Sequence, residues 1–328
     1  MALKPRRVRR DKQSDKKETH MSDKVCVFAG QGAQAPGMGK DLAADGDVAA
    51  LFERANAVLG FDLAKVCFEG PAEELTKSNV CQPAIFTVSV AAFRALQKKC
   101  PQLSFKMAAG LSLGEWTALH IAGVLDFESA LKVLEARGRF MQQACEEQPS
   151  GMISIMGATA EQLAAICEKA GITVANINSD AQVVLSGLKT GVAAAAAVAA
   201  ELGVKAIPLN VAGAFHSPLM ASARAKLAEV LDSVTFQAPQ MPVLANVSGA
   251  LHSSDPAAIK DAMLRQVTDS VRWSDCIKSA IGGGATTFVE FGPGKVLSGL
   301  IKRIDKGVNT MNVADVASLD AAAAALQA

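Results

Sequence analysis

Paired cysteines are missing from this sequence. Seven cysteines stand apart at positions 26, 67, 81, 100, 145, 167 and 276, an odd number with no C-x-x-C pair. That spacing argues against a disulfide frame or a zinc site, and for reduced thiols in a reducing compartment. A charge bias is missing too. The 33 Lys and Arg against 32 Asp and Glu leave +1, which gives no global pull toward nucleic acid or membrane. No apolar run approaches the roughly 20 residues that span a bilayer. There are neither heptads nor repeats of solenoid period. Histidine is scarce, with four in 328 residues, so the search for a general base is short. What remains has an ordinary globular composition, 50% hydrophobic and 20% charged, and is long enough for one or two domains.

Residues 1–24 differ from the rest. They carry nine Lys/Arg against four Asp/Glu and almost nothing apolar, so burial cannot offset their ordering entropy. A disordered basic leader is expected there. It reads as a transit peptide, a basic arm for an acidic partner, or a solvated tail. A transit peptide is acid-poor and serine-rich, whereas this segment has acids and two serines. The folded part is expected from Val25.

Beyond it, strands alternate with helices, which predicts an α/β fold with a mostly parallel sheet covered on both faces. Val25–Ala29 and Phe105–Ala109 read as strands; 48–59, 84–97 and 130–141 have helical spacing. Over residues 151–213 the texture changes to strand, helix, two strands, an alanine-rich helix and a strand at 206–211. That order predicts a ferredoxin-like α+β subdomain inserted into a larger α/β-hydrolase-like body of 25–150 and 214–328. A helix over 218–231, a strand at 243–246, helices at 256–267 and 273–282, and a strand at 287–291 complete the body.

Gly110-Leu111-Ser112-Leu113-Gly114 is a G-x-S-x-G pattern between a strand and a helix. In that setting the serine sits on a strained turn with its hydroxyl exposed at a helix N-terminus, where developing negative charge is favoured. Of the histidines, His20 lies in the leader, His120 reads as a packing residue of the elbow helix, and His252 lies in a polar loop and reads as solvated. His216 follows a strand and a loop, where catalytic groups gather, but no carboxylate stands near it in sequence. Arg137 shares the apolar face of its helix with Leu134 and Met141. It reads as one half of a core ion pair or as a two-pronged clamp for a ligand carboxylate, with Gly138 leaving room beside it. Gly30-Gln31-Gly32-Ala33-Gln34-Ala35 fits the loose dinucleotide pattern. Pro36, Gly37 and Gly39 make a poor helix start, which favours a turn whose N–H groups face a reacting oxygen.

Several segments together resemble the malonyl-CoA:acyl carrier protein transacylase family from about Val25 to Asp305. They are F-A-G-Q-G-A-Q at 28–34, Q-P-A at 82–84, G-L-S-L-G-E at 110–115, R-G-R-F-M-Q at 137–142 and N-I-N-S at 176–179. G-A-F-H-S at 213–217, R-Q-V-T-D-S-V-R-W at 265–273 and F-G-P-G-K-V-L at 291–297 continue the series. Leu111 departs from the histidine usual in bacterial members and is similar to plant and cyanobacterial ones.

The resemblance implies roles. Ser112 is the nucleophile and His216 its base, with the main-chain carbonyl of Gln266 on the imidazole in place of an acid. Gln31 and Leu113 supply oxyanion N–H groups. Arg137 holds the malonyl carboxylate, Asn178 and Asn176 line the pocket, and Phe215 excludes α-branched acyl groups. The implied reaction is ping-pong transfer from malonyl-CoA to acyl carrier protein for fatty acid synthesis, with no metal or cofactor. Lys295, Lys302, Arg303 and Lys306 are candidates for docking that acidic partner. A monomer without nucleic-acid or membrane partners is expected. The plastid stroma is the expected location, with a bacterial cytoplasm or a mitochondrion as alternatives. The rival readings are a serine thioesterase or hydrolase, a polyketide-type acyltransferase, and a non-enzymatic scaffold.

Overall fold

The computed structural model describes residues 22–327, and the leader up to residue 21 lies outside them. Among the described residues, contacts already include Ser22 and Asp23: the Ser22 hydroxyl donates to the Ser104 carbonyl, and the Asp23 carbonyl accepts from the Thr286 N–H.

Strand β1 (Lys24–Phe28) is followed by helices α1 (Gly46–Leu59), α2 (Leu63–Glu69), α3 (Ala72–Thr76) and α4 (Ser78–Lys99). Strand β2 (Met107–Gly110) leads into α5 (Leu113–Ile121) and α6 (Phe127–Glu147). Next come β3 (Ser150–Met156), α7 (Ala160–Ala170), β4 (Thr173–Ser179), β5 (Gln182–Leu188), α8 (Lys189–Glu201) and β6 (Lys205–Pro208). The chain closes with α9 (Ala221–Asp232), α10 (Pro256–Arg265), α11 (Trp273–Gly282), β7 (Thr287–Phe291), α12 (Val296–Ile304), β8 (Asn309–Val313) and α13 (Val316–Gln327).

Two sheets result. The first is parallel, in the order β2-β1-β7-β8. Its central strands β1 and β7 are almost wholly buried and mostly apolar, as expected of parallel strands covered on both faces; the buried Glu290 of β7 accepts from the N–H groups of Leu297 and Ser298. The second is antiparallel, in the order β4-β5-β3-β6, with α7 and α8 packed on it through Ile166, Ala195 and Ala199. A parallel bridge between Asn176 and Val271 ties the second sheet to the chain just beyond α10.

Helix α4 runs through the core of the larger unit, buried almost continuously from Val80 to Phe93. By length and composition it could cross a bilayer, which differs from the expectation of no such run; 83% of its apolar stretch is buried inside the protein. Gly138 on α6 allows close approach, though not by a ligand. A Cβ there would stand 2.2 Å from the Ser78 carbonyl oxygen at the start of α4.

Three sequence expectations differ from the structure. No strand forms at 243–246. Val243 makes one bridge to Ala108 and Leu244 one to Leu251, because the chain turns at Ser248 and Gly249 before a ladder can grow. The strand expected to reach Val211 ends at Pro208; one further bond, from the Leu209 N–H to the Met152 carbonyl, follows before the Val211 N–H turns back to the Leu209 carbonyl. The helix expected over 218–231 opens as a 3₁₀ turn at Pro218–Met220 before α9 begins.

Candidate active site

The C-terminal ends of β1 and β2 open into a cleft of about 780 Å³ whose other wall is the second sheet. Such crevices at strand ends are where open α/β sheets bind ligands. Ser112 stands at the turn between β2 and α5 with φ 55° and ψ −104°. His216 also has φ 55°; among the described residues these are the two non-glycine positions with positive φ. Side chains rarely adopt this region, and strain of this kind persists only where the surroundings impose it. The turn is held by close packing. A Cβ on Gly110 would lie 2.0 Å from the Gly114 carbonyl oxygen, and one on Gly114 would lie 2.1 Å from that of Phe28.

His216 Nε2 lies 2.8 Å from Ser112 Oγ, and its Nδ1 lies 2.8 Å from the Gln266 carbonyl oxygen. A carbonyl can only accept, so Nδ1 carries the ring proton and Nε2 presents a lone pair to the serine. Burial, and then the neighbouring Arg137 charge, push the imidazole down to about 4, while the Gln266 carbonyl opposes them. The ring is therefore neutral near pH 7.

Arg137 is 1% exposed. Its guanidinium donates to Gln82 Oε1 at 2.7 Å, Gln266 Oε1 at 3.0 Å and Ser112 Oγ at 3.0 Å. The core ion pair that the sequence allows is not formed: all three acceptors are uncharged. Its Nε has no acceptor among the described residues. Burial lowers the guanidinium to about 10, and the charge of Glu115 opposes this; it remains a cation at neutral pH.

The other expected residues gather around this centre. Gln31, Asn176, Asn178 and Phe215 line the cleft, and Asn178 Oδ1 is buried without a hydrogen-bond partner among the described residues. The Leu113 N–H, at the first position of α5, has no acceptor within the helix. Gln31 Oε1 accepts from Gln82 Nε2 at 3.3 Å, linking the first glycine-rich turn to Arg137. Of the four basic docking candidates, Lys302 is turned onto the carbonyls of Lys306 and Val308, and Arg303 onto Gln182. Lys295 is exposed at the start of α12, beside the cleft residue Val296.

Three contributors carry no local signal in the sequence. Asn246 accepts from the Ser112 N–H at 2.7 Å and donates to the Gly110 carbonyl at 2.8 Å, so it braces the strained turn. Gln82 holds Arg137. Glu115 is 1% exposed and accepts from Gln266 Nε2 at 2.6 Å. His252, expected in solvent, turns its ring inward, 2% exposed and 2.6 Å from Glu115. The polar residues around it face water while the imidazole does not. His120 packs edge-on against Phe86, and its Nδ1 lies 2.9 Å from the Leu125 carbonyl, as a packing residue should.

Comparison with known proteins bears on this centre. A family model described as acyl transferase domain matches residues 25–321. A malonyl CoA-acyl carrier protein transacylase of Escherichia coli (strain K12) is 40% identical over 316 residues, covering 94% of this chain and 100% of that protein. The solved acyl carrier protein S-malonyltransferase of Vibrio cholerae superposes with a TM-score of 0.86 at 41% identity, covering 92% of this chain and 100% of that one. A malonyl-transacylase solved in complex with its type II polyketide acyl-carrier protein gives 0.89 at 38% identity, covering 93% and 100%. Agreement of this extent along nearly the whole sequence places the chain in the acyl transferase family, among the malonyl CoA-acyl carrier protein transacylases.

Proposed function

We propose that the protein transfers a malonyl group from malonyl-CoA to the phosphopantetheine thiol of acyl carrier protein, supplying fatty acid synthesis. The observation that carries this is a buried cation with no acid of its own, 3.0 Å from a serine that is paired with a neutral histidine. Ser112 attacks the thioester carbonyl while His216 Nε2 takes its proton. The N–H groups of Gln31 and Leu113 receive the oxyanion; one such donor contributes about 3 kcal/mol to the barrier. The CoA thiolate leaves with the proton from His216. The carrier's thiol then gives its proton to the same nitrogen and attacks the malonyl ester; as the ester bond breaks, His216 returns that proton to Ser112 Oγ, regenerating the hydroxyl and the neutral ring. Exchange of thioester for ester and back is nearly isoenergetic, so these steps require no metal or redox group.

Arg137 has two tasks in this scheme. Its fork binds the malonyl carboxylate in the Michaelis complex and the acyl-enzyme. Once bound, that carboxylate offsets the charge that holds down the basicity of His216, so the correct cargo raises the reactivity of its own base. Phe215, with Met141, Met152 and Val184 on the same cleft, fills the space an α-methyl would need. Asn176 and Asn178 offer polar partners to the pantetheine arm.

The chain reads as two subdomains, residues 25–150 with 214–328 and residues 151–213. The strand order of the smaller one is that of a ferredoxin-like split, and the larger one is an α/β-hydrolase-like body carrying the nucleophile turn. The groups this scheme uses lie within one chain, so a monomer suffices for it. The relatives named above by organism are bacterial, which supports a bacterial cytoplasm; they lend no support to a plastid address. The test is intact-protein mass spectrometry after brief incubation with malonyl-CoA, followed by release of CoA with and without acyl carrier protein. A malonyl adduct on Ser112 that turns over only with the carrier fits transfer. Equal release without it would make the protein a hydrolase.

A further inference from the structure

Behind the nucleophile lies a buried carboxylate that the transfer scheme does not use. We propose that Glu115 and His252 form a positioning pair that fixes the Gln266 side-chain amide and the Asn246 main chain, and through them aligns Ser112, His216 and Arg137. The inference rests on reading Ser112 and His216 as the acyl-transferring pair.

Hydrogen-bond logic gives the direction of control. Glu115 Oε2 accepts from Gln266 Nε2 at 2.6 Å and from the Asn246 N–H at 3.2 Å. A carboxylate accepts only, so it forces the NH₂ end of the Gln266 amide toward itself. The second hydrogen of that NH₂ goes to the Ser112 carbonyl at 2.9 Å. The amide oxygen is thereby turned to Arg137, 3.0 Å away. Were the amide reversed, its NH₂ would meet the guanidinium donor to donor. The Gln266 carbonyl, on the same residue, orients His216. The second arm runs through Asn246, whose side chain accepts from the Ser112 N–H and holds the strained turn.

The other carboxylate oxygen is engaged by His252 Nε2 at 2.6 Å. By the same rule, that nitrogen carries a hydrogen. His252 lies in the loop after the Leu244–Leu251 bridge; its N–H donates to the Val243 carbonyl at 2.8 Å, and its ring adds a side-chain tie from that loop to the back of the centre. With it in place, Glu115 has a partner at each oxygen and cannot rotate toward the guanidinium. Four donors and acceptors belonging to residues 112, 137, 216 and 266 are thus set by one group that never reaches the cleft.

Single-turnover acylation of Ser112 by malonyl-CoA and by acetyl-CoA, with circular dichroism at the assay temperature, tests this. Wild-type acylation tests the transfer reading itself, and the variants test the positioning. In Glu115→Ala, malonyl acylation should fall about 100-fold, the loss typical of a misplaced reacting group. Acetyl acylation should fall less, because acetyl does not use Arg137. Glu115→Gln can still accept from Gln266 and Asn246 if His252 changes tautomer, and should lose no more than about fivefold. His252→Leu should cost about tenfold, and His252→Gln, which keeps a donor, should restore most of that. If Glu115→Ala does not fold, Glu115→Gln and the two His252 variants carry the test. Rates within threefold of wild type in Glu115→Ala and His252→Leu would overturn the proposal. So would equal losses in each conservative variant and its truncation, or losses for both substrates that simply follow the unfolded fraction.

Discussion

Replacing Arg137 by alanine separates the binding of a carboxylate from the transfer of an acyl group. In the native protein the guanidinium is fully buried and donates to three neutral acceptors, so a malonyl carboxylate would be its first anionic hydrogen-bond partner. A charge-assisted hydrogen bond contributes about 1.5–3 kcal/mol. Two of them, less the cost of displacing the contacts to Gln82 or Gln266, leave about 3–4 kcal/mol. At roughly 1.4 kcal/mol per factor of ten, malonyl-CoA should lose about 10²–10³ in kcat/KM. Acetyl-CoA has nothing to lose there. It should gain, because the variant removes the charge that, after burial, holds His216 down at about 4. The assay is CoA release from each thioester in the presence of acyl carrier protein, with intact mass confirming the adduct. Equal losses for both substrates, or a malonyl rate within threefold of wild type, would refute the clamp. Arg137→Lys should fall between the two, since an ammonium keeps the charge but not the fork.

Other expectations concern the base, the turn and the leader. His216→Ala should abolish the malonyl-serine adduct seen by mass spectrometry; rapid acylation in that variant would place the base elsewhere. Because the free-enzyme His216 is depressed from 6.5 to about 4, it is neutral at pH 7, and kcat/KM for acylation should fall as pH drops through about 4, while kcat, set with the cargo bound, should fall at a higher pH. The unfolded chain takes this proton near 6.5, so the stability that depends on a neutral His216 is present above 6.5 and is lost as pH falls toward about 4. Thermal melts of wild type and His216→Gln across that window should converge at the acid end, and parallel curves would contradict the assignment. Gly114→Ala should destabilise by about 3 kcal/mol or more, since its new methyl would meet the Phe28 carbonyl; an unchanged melting temperature would show that the turn can relax. Deleting residues 1–21 should leave acylation intact, because every residue given a catalytic or binding role lies between residues 31 and 266.

The parts of the centre legible in the sequence are those whose geometry is local. A strand, two glycines and a helix start set the Ser112 turn within ten residues. Arg137 betrays itself by sitting on the apolar face of a helix. His216 is harder: its partner is a main-chain carbonyl 50 residues away, and a carbonyl has no residue type to search for. Asn246 and Gln82 reach their partners across 134 and 55 residues, through contacts that exist only once the sheet has formed. His252 misleads because its neighbours are polar and only its own ring turns inward. In the fold, 243–246 has the apolar content of a strand but runs into a turn after one bridge. The elements that the pattern passes over are the short α2 and α3 and the terminal run of α12, β8 and α13. The brief α2 and α3 and the alanine-rich α13 offer little contrast between their faces, whereas α12 has a clear one, with Leu297, Leu300 and Ile301 buried and Lys302 and Arg303 exposed, in a run of only nine residues.

The imidazole leans on an uncharged main-chain oxygen where many serine enzymes use aspartate. Gln266 touches both the ring and the guanidinium. A carboxylate side chain reaching into that corner would form an internal salt link with Arg137 and neutralise it. The cargo's own anionic end would then arrive at a seat already taken. On the proposed assignment, vacancy at the third position of the relay is thus the condition under which the same small chamber would both activate a hydroxyl and select for a dicarboxylic half-thioester.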